Sequence, residues 1–429
     1  MCNSTKTKND SAWEKLFEKY KIIENIKKEG QFAINSRAIN EFREARLMTK
    51  FDHRNNLPTL FQENQLSILS IARGDYIIAE FDAYKSFEPH EPVPVEYLDF
   101  PEYVQSIDYE NITSEATAVN CAYVSGIFAH FFEEEELLPT VSGRMSSESF
   151  SFEINDLKHS KLMNLDVVNS QIEIDGGYEG IGSLSLIEAK NSISSDFLVR
   201  QLYYPLRLWE NKITKKVKPI FLIYTNGIFN LYEYRFENIQ NYNSLVLIKQ
   251  KRYSLEVKDI SVEDIQTVLK TAITANEPEI PFPQADSFER VINLCELLNT
   301  QTELTKDDVT TTYDFDKRQT DYYVNAGRYL GLIDKKAEDG IKYLLTDEGK
   351  LLFKSNYRQR QLRLVTLILK HSAFSEALAL YFQKANIPTK PEIVEIMKHS
   401  DLYNVNTEKT FNRRASTIIG WINWILSLQ

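Results

Sequence analysis

The sequence predicts a mixed α/β (α+β) fold divided among several domains. The 429 residues exceed the usual size of one domain, for which about 150 residues is a working average. Hydrophobic residues make up 43% of the chain and charged residues 26%, values typical of globular proteins with sizeable cores. Apolar residues alternate or run continuously through residues 140–235, whereas they recur at helical spacing after residue 285.

Composition also excludes several classes of protein. No apolar run approaches the roughly 18 residues that a membrane-spanning helix needs, so we expect no membrane partner. The polar N-terminus lacks the apolar stretch of a secretion signal. Cys2, Cys121 and Cys295 are scattered and odd in number, which excludes a disulfide scaffold and favours a reducing compartment. We therefore predict a cytoplasmic protein.

Prolines and charge divide the chain into three regions. Prolines cluster in residues 86–101 and again in residues 276–286, where they favour extended linkers. Residues 285–429 contain 20 Lys and Arg against 19 Asp and Glu, whereas the whole chain has 50 against 61. The predicted domains are therefore an N-terminal α/β module (1–100) able to take part in DNA recognition, a core (101–275) and a C-terminal region (285–429).

The first two regions contain helices and strands in a recognisable order. Residues 11–50 are charged and typical of helices, and residues 66–84 predict two strands. Residues 114–138 predict one long helix that ends in four glutamates, 133–136, most simply a solvated helix end. The core then predicts strands and one helix in the order 149–154, 167–174, 183–190, helix 196–211, 218–224 and 229–236.

Three residues of the core carry the chemistry. Glu188 and Lys190 are two positions apart on a predicted strand, so their side chains point to the same face. Asp175 comes at the predicted end of the preceding strand, where a hairpin-like return places it beside Glu188. Paired carboxylates are ligands that suit Mg²⁺, and the lysine can orient or deprotonate a water molecule. The alternative is a surface ion pair on an edge strand.

The pattern Asp175, Glu188, Ala189, Lys190, with a helix after it, resembles the PD-(D/E)xK nuclease superfamily. Longer stretches resemble a group of type II restriction endonucleases within it, namely residues 171–178, 186–190, 200–205, 43–52 and 142–145. The resemblance spans residues 35–240 and implies a mixed-sheet, restriction-endonuclease-like core. It also implies that Asp175 and Glu188 bind the metal and that Lys190 is catalytic. Ile174 stands where the superfamily pattern has proline.

The resemblance also draws attention to the helix after Lys190. Some nucleases of this superfamily carry a glutamine and a tyrosine there that support the site or contact the DNA backbone, which makes Gln201 a candidate catalytic residue and adds Tyr204. The alternative is a helix that packs on the sheet with a solvated Gln201. Glu173 is a further candidate ligand, and Glu134 or Glu135 could supply a first-helix carboxylate.

The C-terminal region predicts helices followed by a hairpin, the order found in a winged helix. Lys317, Arg318, Gln319 and Tyr322 would lie on its recognition helix, where Arg and Gln side chains can read guanine and adenine edges. Residues 360–429 repeat the theme as a second tandem unit, with Asn412 and Arg413 on the polar side of the last helix. A helical packing or dimerisation module is the alternative.

These observations predict a type II restriction endonuclease that hydrolyses double-stranded DNA at a specific sequence with Mg²⁺. Cutting both strands requires two sites, so a homodimer on DNA is expected. A cognate DNA methyltransferase is implied, because an unpaired restriction enzyme would cut its host. Two alternatives stay open: a DNA-binding regulator with an inactive nuclease core, and a DNA-repair nuclease.

Overall fold

The computed structural model describes residues 6–87, 93–158, 160–255, 260–337 and 340–428, apart from the side chain of Lys317. It confirms the mixed α/β class: helices and strands alternate along the chain, and the strands form sheets with both parallel and antiparallel neighbours. His90 and His159, isolated histidines of the sequence, lie outside the described residues.

The N-terminal region combines short helices with a hairpin. Its first helix begins with a capping box, in which the Thr7 hydroxyl accepts a hydrogen bond from the Asp10 amide and the Asp10 carboxylate accepts one from the Thr7 amide. The elements of this region are α1 (Lys8–Tyr20), α2 (Ile22–Glu29), β1 (Phe32–Asn35), α3 (Ser36–Asn40), α4 (Ala45–Thr49), a 3₁₀ helix (Arg54–Asn56), α5 (Thr59–Glu63), β2 (Ser67–Ala72), β3 (Asp75–Ala79) and β4 (Tyr84–Ser86).

The central region contains most of the strands. Its elements are β5 (Val95–Tyr97), α6 (Glu115–Val124), α7 (Ile127–Phe132), β6 (Leu138–Ser146), β7 (Ser149–Asn155), β8 (Leu162–Val168), β9 (Gln171–Glu179), β10 (Ser183–Lys190), β11 (Asp196–Leu198), α8 (Arg200–Glu210), β12 (Lys216–Thr225), β13 (Ile228–Phe236), β14 (Leu245–Ser254) and α9 (Val262–Thr271).

Two large sheets organise these strands. The main sheet has the order β5-β14-β13-β12-β10-β9-β6, in which β10 is parallel to β12 and antiparallel to β9. The second sheet has the order β1-β3-β2-β8-β7 and so combines strands of the N-terminal and central regions. One hydrophobic cluster extends from Ala12 to Leu245 and fills the space between the two sheets and α8. A smaller cluster packs α6 and α7 on the other face of the main sheet.

The C-terminal region is mostly helical and has its own hydrophobic cluster, from Ile260 to Leu428. Its strands form a three-stranded sheet of order β15-β17-β16. The elements are α10 (Phe288–Gln301), β15 (Glu303–Thr305), α11 (Lys306–Thr312), α12 (Lys317–Tyr329), β16 (Ile333–Lys336), β17 (Lys342–Leu345), α13 (Asp347–Leu352), α14 (Tyr357–Leu369), α15 (Ser372–Lys384), α16 (Lys390–Lys398) and α17 (Glu408–Leu426). The structure describes residues 360–428 as helices α14 to α17 with their connections, so the second tandem unit predicted there would have to consist of helices alone.

Three details of the sequence-based prediction were wrong. The single helix predicted over 114–138 is two helices, because Gly126 adopts a left-handed φ of 80° between α6 and α7. The strand predicted over 167–174 is broken at Asn169, which also has a positive φ, so that Asp175 lies within β9 rather than at a strand end. The helix predicted from residue 196 begins at Arg200, after the short strand β11.

Among the described residues, no single helix is long and apolar enough to cross a membrane. In the part of the chain that the structure describes, one pair of helices, α14 and α15, reaches that length and hydropathy together, and the two are bent by 107° relative to each other.

Candidate active site

The alternation of β10 positions the two predicted residues at its end. Leu184 and Leu186 belong to the large hydrophobic cluster, whereas Ile187 and Ala189 pack on the opposite face with α6 and α7. Glu188 and Lys190 continue the first face, as a period of two requires. They therefore lie together where the buried part of the strand reaches a cleft.

Asp175 reaches the same place from the neighbouring strand. The antiparallel register pairs Gly176 with Ile187, which brings Asp175 next to the end of β10. Its Oδ2 accepts a hydrogen bond from the Ala189 amide at 2.8 Å. Gly177, two residues after Asp175, permits close packing, since a Cβ on it would lie 2.6 Å from Cβ of Val141.

Glu188 is the centre of a hydrogen-bonded cluster. Its Oε1 accepts from Nζ of Lys190 at 2.5 Å and from Nε2 of Gln201 at 2.6 Å. The side chains of Glu188 and Lys190 are only 10% and 12% exposed. Gln201 comes from the first turn of α8, so the helix after β11 supports the carboxylate directly. Oε1 of Gln201 is buried and has no hydrogen-bond partner among the described residues.

Burial and neighbouring charges perturb both ionisable groups. Burial raises the pKa of Glu188 to about 8, and the charges of Asp175 and Asp52 add to this effect against the opposing ammonium of Lys190. Burial acts to lower the pKa of Lys190, but Glu188, Asp52, Glu115 and Asp175 outweigh it and raise that pKa. Lys190 is therefore a charged hydrogen-bond donor in this environment, surrounded by carboxylates.

Two of those carboxylates were not predicted from the sequence. Asp52 follows α4, and Glu115 begins α6; both line the cleft with Glu188. Although burial opposes ionisation of Asp52, Lys190 and other nearby cations lower its pKa, whereas burial raises the pKa of Glu115. The sequence contained a signal for Asp52, because residues 43–52 are part of the resemblance. The sequence signal for Glu115 is weaker: it directly follows Ser114, the N-cap residue of α6.

The backbone around Asp52 is fixed by contacts with β11. The carbonyl of Asp52 accepts from the Leu198 amide at 3.0 Å, and Nδ1 of His53 lies 2.7 Å from the carbonyl of Asp196. The resulting cleft has a volume of about 570 Å³. Its walls include five cations besides Lys190, namely Arg46, Lys50, Arg73, Arg144 and Arg200.

Other candidates of the sequence lie outside this cluster. Glu173 lines the cleft but is 54% exposed and pairs with Arg144 at 3.2 Å. Glu134 accepts a hydrogen bond from Ser183, at the opposite end of β10 from Lys190. The hydroxyl of Tyr204 donates to the buried carbonyl of Ser70 at 2.9 Å and so braces α8 against β2. Glu135 is exposed beyond α7.

The predicted DNA-reading residues occupy two helices of the C-terminal region. Arg318, Asn412 and Arg413 are exposed, and Gln319 accepts from the Asp316 amide in a capping box. The side chain of Lys317 lies outside the described residues. Tyr322 on α12 is close enough to influence Arg414 on α17; burial and the charge of Arg413 lower the pKa of Arg414 to about 10.

A buried polar interface joins the C-terminal region to the segment that follows Lys190. Asp314, fully buried, accepts hydrogen bonds from the Ser195 amide at 2.6 Å and the Ser195 hydroxyl at 2.8 Å. Asn55 donates to its other oxygen at 2.8 Å, and Arg290 lies 3.6 Å away. Asn293 accepts from the Ile193 amide and donates to the Asn191 carbonyl, both at 3.0 Å. Residues 191–195 are thus held from the C-terminal side.

Three family models match successive parts of the chain. Each is a domain of unknown function: DUF6996 over residues 10–78, DUF6997 over residues 79–254 and DUF7226 over residues 290–429. The candidate site therefore lies within the second match, with Asp52 contributed by the first. No curated protein and no solved structure matches the chain.

Proposed function

We propose that this chain is a Mg²⁺-dependent, site-specific deoxyribonuclease of the type II restriction class. The observation that carries the proposal is the buried cluster of Asp175, Glu188, Lys190 and Gln201 at the base of a cleft with cationic walls. A structural ion pair needs neither a second carboxylate nor an open cleft, and burial of such a cluster is costly without a function.

The donor set fits a magnesium ion. Asp175 and Glu188 each accept hydrogen bonds on one carboxylate oxygen, which leaves the second oxygen of each for a cation. The unpaired buried Oε1 of Gln201 is a further oxygen at this position. The described residues contain no group of three acidic, histidine or cysteine ligands in metal-binding geometry, but Mg²⁺ ordinarily keeps several waters. When bound, it supplies positive charge that stabilises the transition state at phosphorus.

The protein's own groups have separate roles in this proposal. Lys190 donates one N–H to Glu188, and its other two N–H groups are available to orient the attacking water or a phosphate oxygen. Gln201 positions the Glu188 carboxylate through the hydrogen bond to Oε1. The attacking water adds to phosphorus while the bond to the 3′ oxygen breaks, which leaves a 5′ phosphate and a 3′ hydroxyl.

Two features of the fold support this proposal. The main sheet has mixed parallel and antiparallel neighbours, with α6 on one face and α8 on the other, an arrangement compatible with a restriction-endonuclease-like core. The order α10, β15, α11, α12, β16, β17, with a three-stranded sheet, is compatible with a winged helix. In this proposal α12 and α17 read DNA, with Arg318, Tyr322, Asn412 and Arg413 at the contact.

Double-stranded cleavage implies two such sites, so we propose that the enzyme acts as a homodimer on DNA. A methyltransferase that modifies the same sequence would protect the host, and both would work in the cytoplasm.

The test is digestion of plasmid DNA and of a randomised duplex library with purified protein and Mg²⁺. We expect discrete fragments from the native chain. Glu188→Gln keeps a hydrogen-bond acceptor for Lys190 but cannot ionise to a carboxylate ligand for the metal, and we expect cleavage to fall by about two to four orders of magnitude. Glu179→Gln is the matched control, since Glu179 lies on β9 in a partly exposed pair with Lys215; its cleavage should stay within about twofold.

Each other outcome identifies an alternative. Specific binding without cleavage in Mg²⁺ or Mn²⁺ would favour a DNA-binding regulator. Fragments without fixed ends would favour a repair nuclease. Equal cleavage by the native chain and Glu188→Gln would show that Glu188 takes no part in catalysis and would refute the proposed mechanism.

A further inference from the structure

The N-terminal region supplies one wall of the cleft, and that wall carries three exposed cations. Arg46 lies on α4, Lys50 directly follows that helix, and Arg73 lies in the turn between β2 and β3. Within the described part of the chain, none of the three side chains forms a hydrogen bond or an ion pair. Arg46 and Arg73 therefore face the cleft without an ion-pair partner among the described residues, and Lys50 shares its charge with Asp52, whose pKa it helps to lower.

Their backbone is held firmly. Arg46 lies within α4, and Lys50 is the C-cap residue of that helix. The helix is anchored by Nε1 of Trp13, which donates to the carbonyl of Met48 at 3.0 Å. The turn of Arg73 requires Gly74, whose φ is +85° and where a Cβ would lie 2.9 Å from Oγ of Ser36. The three cations are thus presented from braced elements.

Acidic and basic side chains that line the cleft differ in their exposure to solvent. Among the residues that line the cleft, Glu188 is buried and Asp175 is half-buried, whereas Arg46, Lys50 and Arg73 are exposed. In a chain with a formal charge of -11, an incoming polyanion meets repulsion unless cations are concentrated where it binds. The cleft has a volume of about 570 Å³, the size of a small-ligand pocket, which is enough for a short stretch of nucleic-acid backbone.

We propose that Arg46, Lys50 and Arg73 form a phosphate-binding wall that holds the backbone of duplex DNA beside the candidate active site. This inference rests on the proposed function and extends it, because it gives the N-terminal region a role in binding the backbone and not the bases. Phosphate contacts fix position without reading sequence. The contribution of the wall is therefore the same for every duplex sequence and decreases with salt.

The experiment measures binding of a labelled duplex by the full-length protein in EDTA, by fluorescence anisotropy, between 50 and 200 mM salt. The variant Arg46→Ala/Lys50→Ala/Arg73→Ala should lower the magnitude of the slope of log K against log salt by up to about 2.7, since each phosphate contact contributes about 0.9. The control Lys15→Ala/Lys21→Ala/Lys27→Ala removes the same charge from exposed positions of the N-terminal region outside the cleft, and its slope should equal that of the native chain.

The inference is overturned if the two triple variants have equal slopes of log K against log salt. It is also overturned if the substitutions in the wall weaken binding of single-stranded DNA or RNA more than binding of the duplex. Thermal unfolding of each variant shows that it is folded, and the single variant Arg73→Ala provides a milder test with an expected slope change of about 0.9. If the substitutions in the wall weaken duplex binding but the native chain does not cleave DNA, the nuclease proposal is refuted and the phosphate-binding role of the wall is supported. If the chain cleaves and the wall has no effect, the wall alone fails. Absence of duplex binding refutes both.

Discussion

Asp314 is expected to hold the C-terminal region against the segment that follows Lys190. Its carboxylate is fully buried and accepts hydrogen bonds from Ser195 and Asn55, with Arg290 as the neighbouring charge. Asp314→Ala leaves the Ser195 amide and the Asn55 amide without their acceptor and leaves the guanidinium, 13% exposed, without its counter-charge. Removing one partner of a buried pair costs about 3–5 kcal/mol, so we expect a loss of that size in the free energy of unfolding.

Urea denaturation followed by tryptophan fluorescence tests this expectation, because Trp13 and Trp209 lie on one side of the interface and Trp421 and Trp424 on the other. We expect the Asp314→Ala protein to unfold at lower urea, with its C-terminal region separating as an earlier transition. Asp321→Ala is the control, since its pair with Lys306 is half exposed and worth under about 1 kcal/mol. If Asp314→Ala and Asp321→Ala both unfold at the same urea concentration as the native chain, the polar interface contributes little to stability and the reasoning is wrong.

Two further predictions concern the C-terminal region. In the folded protein Glu296 accepts a hydrogen bond from the Asn226 amide, and burial raises its pKa above the ordinary value of 4.5. The protonated form therefore contributes stability at low pH. This contribution is lost as the pH rises from 4.5 through the raised pKa. Glu296→Gln should therefore gain stability relative to the native chain as pH increases, measured by denaturation at several pH values, and a pH-independent difference would contradict this. Gly420→Ala should cost about 1–3 kcal/mol in urea denaturation, because its Cβ would overlap the Asp286 carbonyl, whereas Gly182→Ala meets no atom within 4 Å and should be neutral.

Local pattern predicted much of the core but not its long-range contacts. The apolar run of β12 and the alternation around Glu188 and Lys190 required only strand geometry, and both strands have nearly the predicted bounds. Asp52 could not be assigned to the same cleft from local pattern, since its approach depends on tertiary contacts such as that of His53 with Asp196, 143 positions apart. The break at Gly126 was missed because an isolated glycine is compatible with a helix until its φ is known.

The sharing of strands in the second sheet limits how this protein can be divided. The boundary between the first two matched families, at residues 78 and 79, falls inside β3. A cut there would expose the edge of β2 that pairs with β8 and would divide one hydrophobic cluster between the two fragments, a situation that promotes aggregation. Any exchange of modules between proteins, in the laboratory or during evolution, would therefore have to transfer residues 10–254 as one unit, and a replacement for the C-terminal region would have to supply acceptors for Ser195 and Asn55 in place of Asp314.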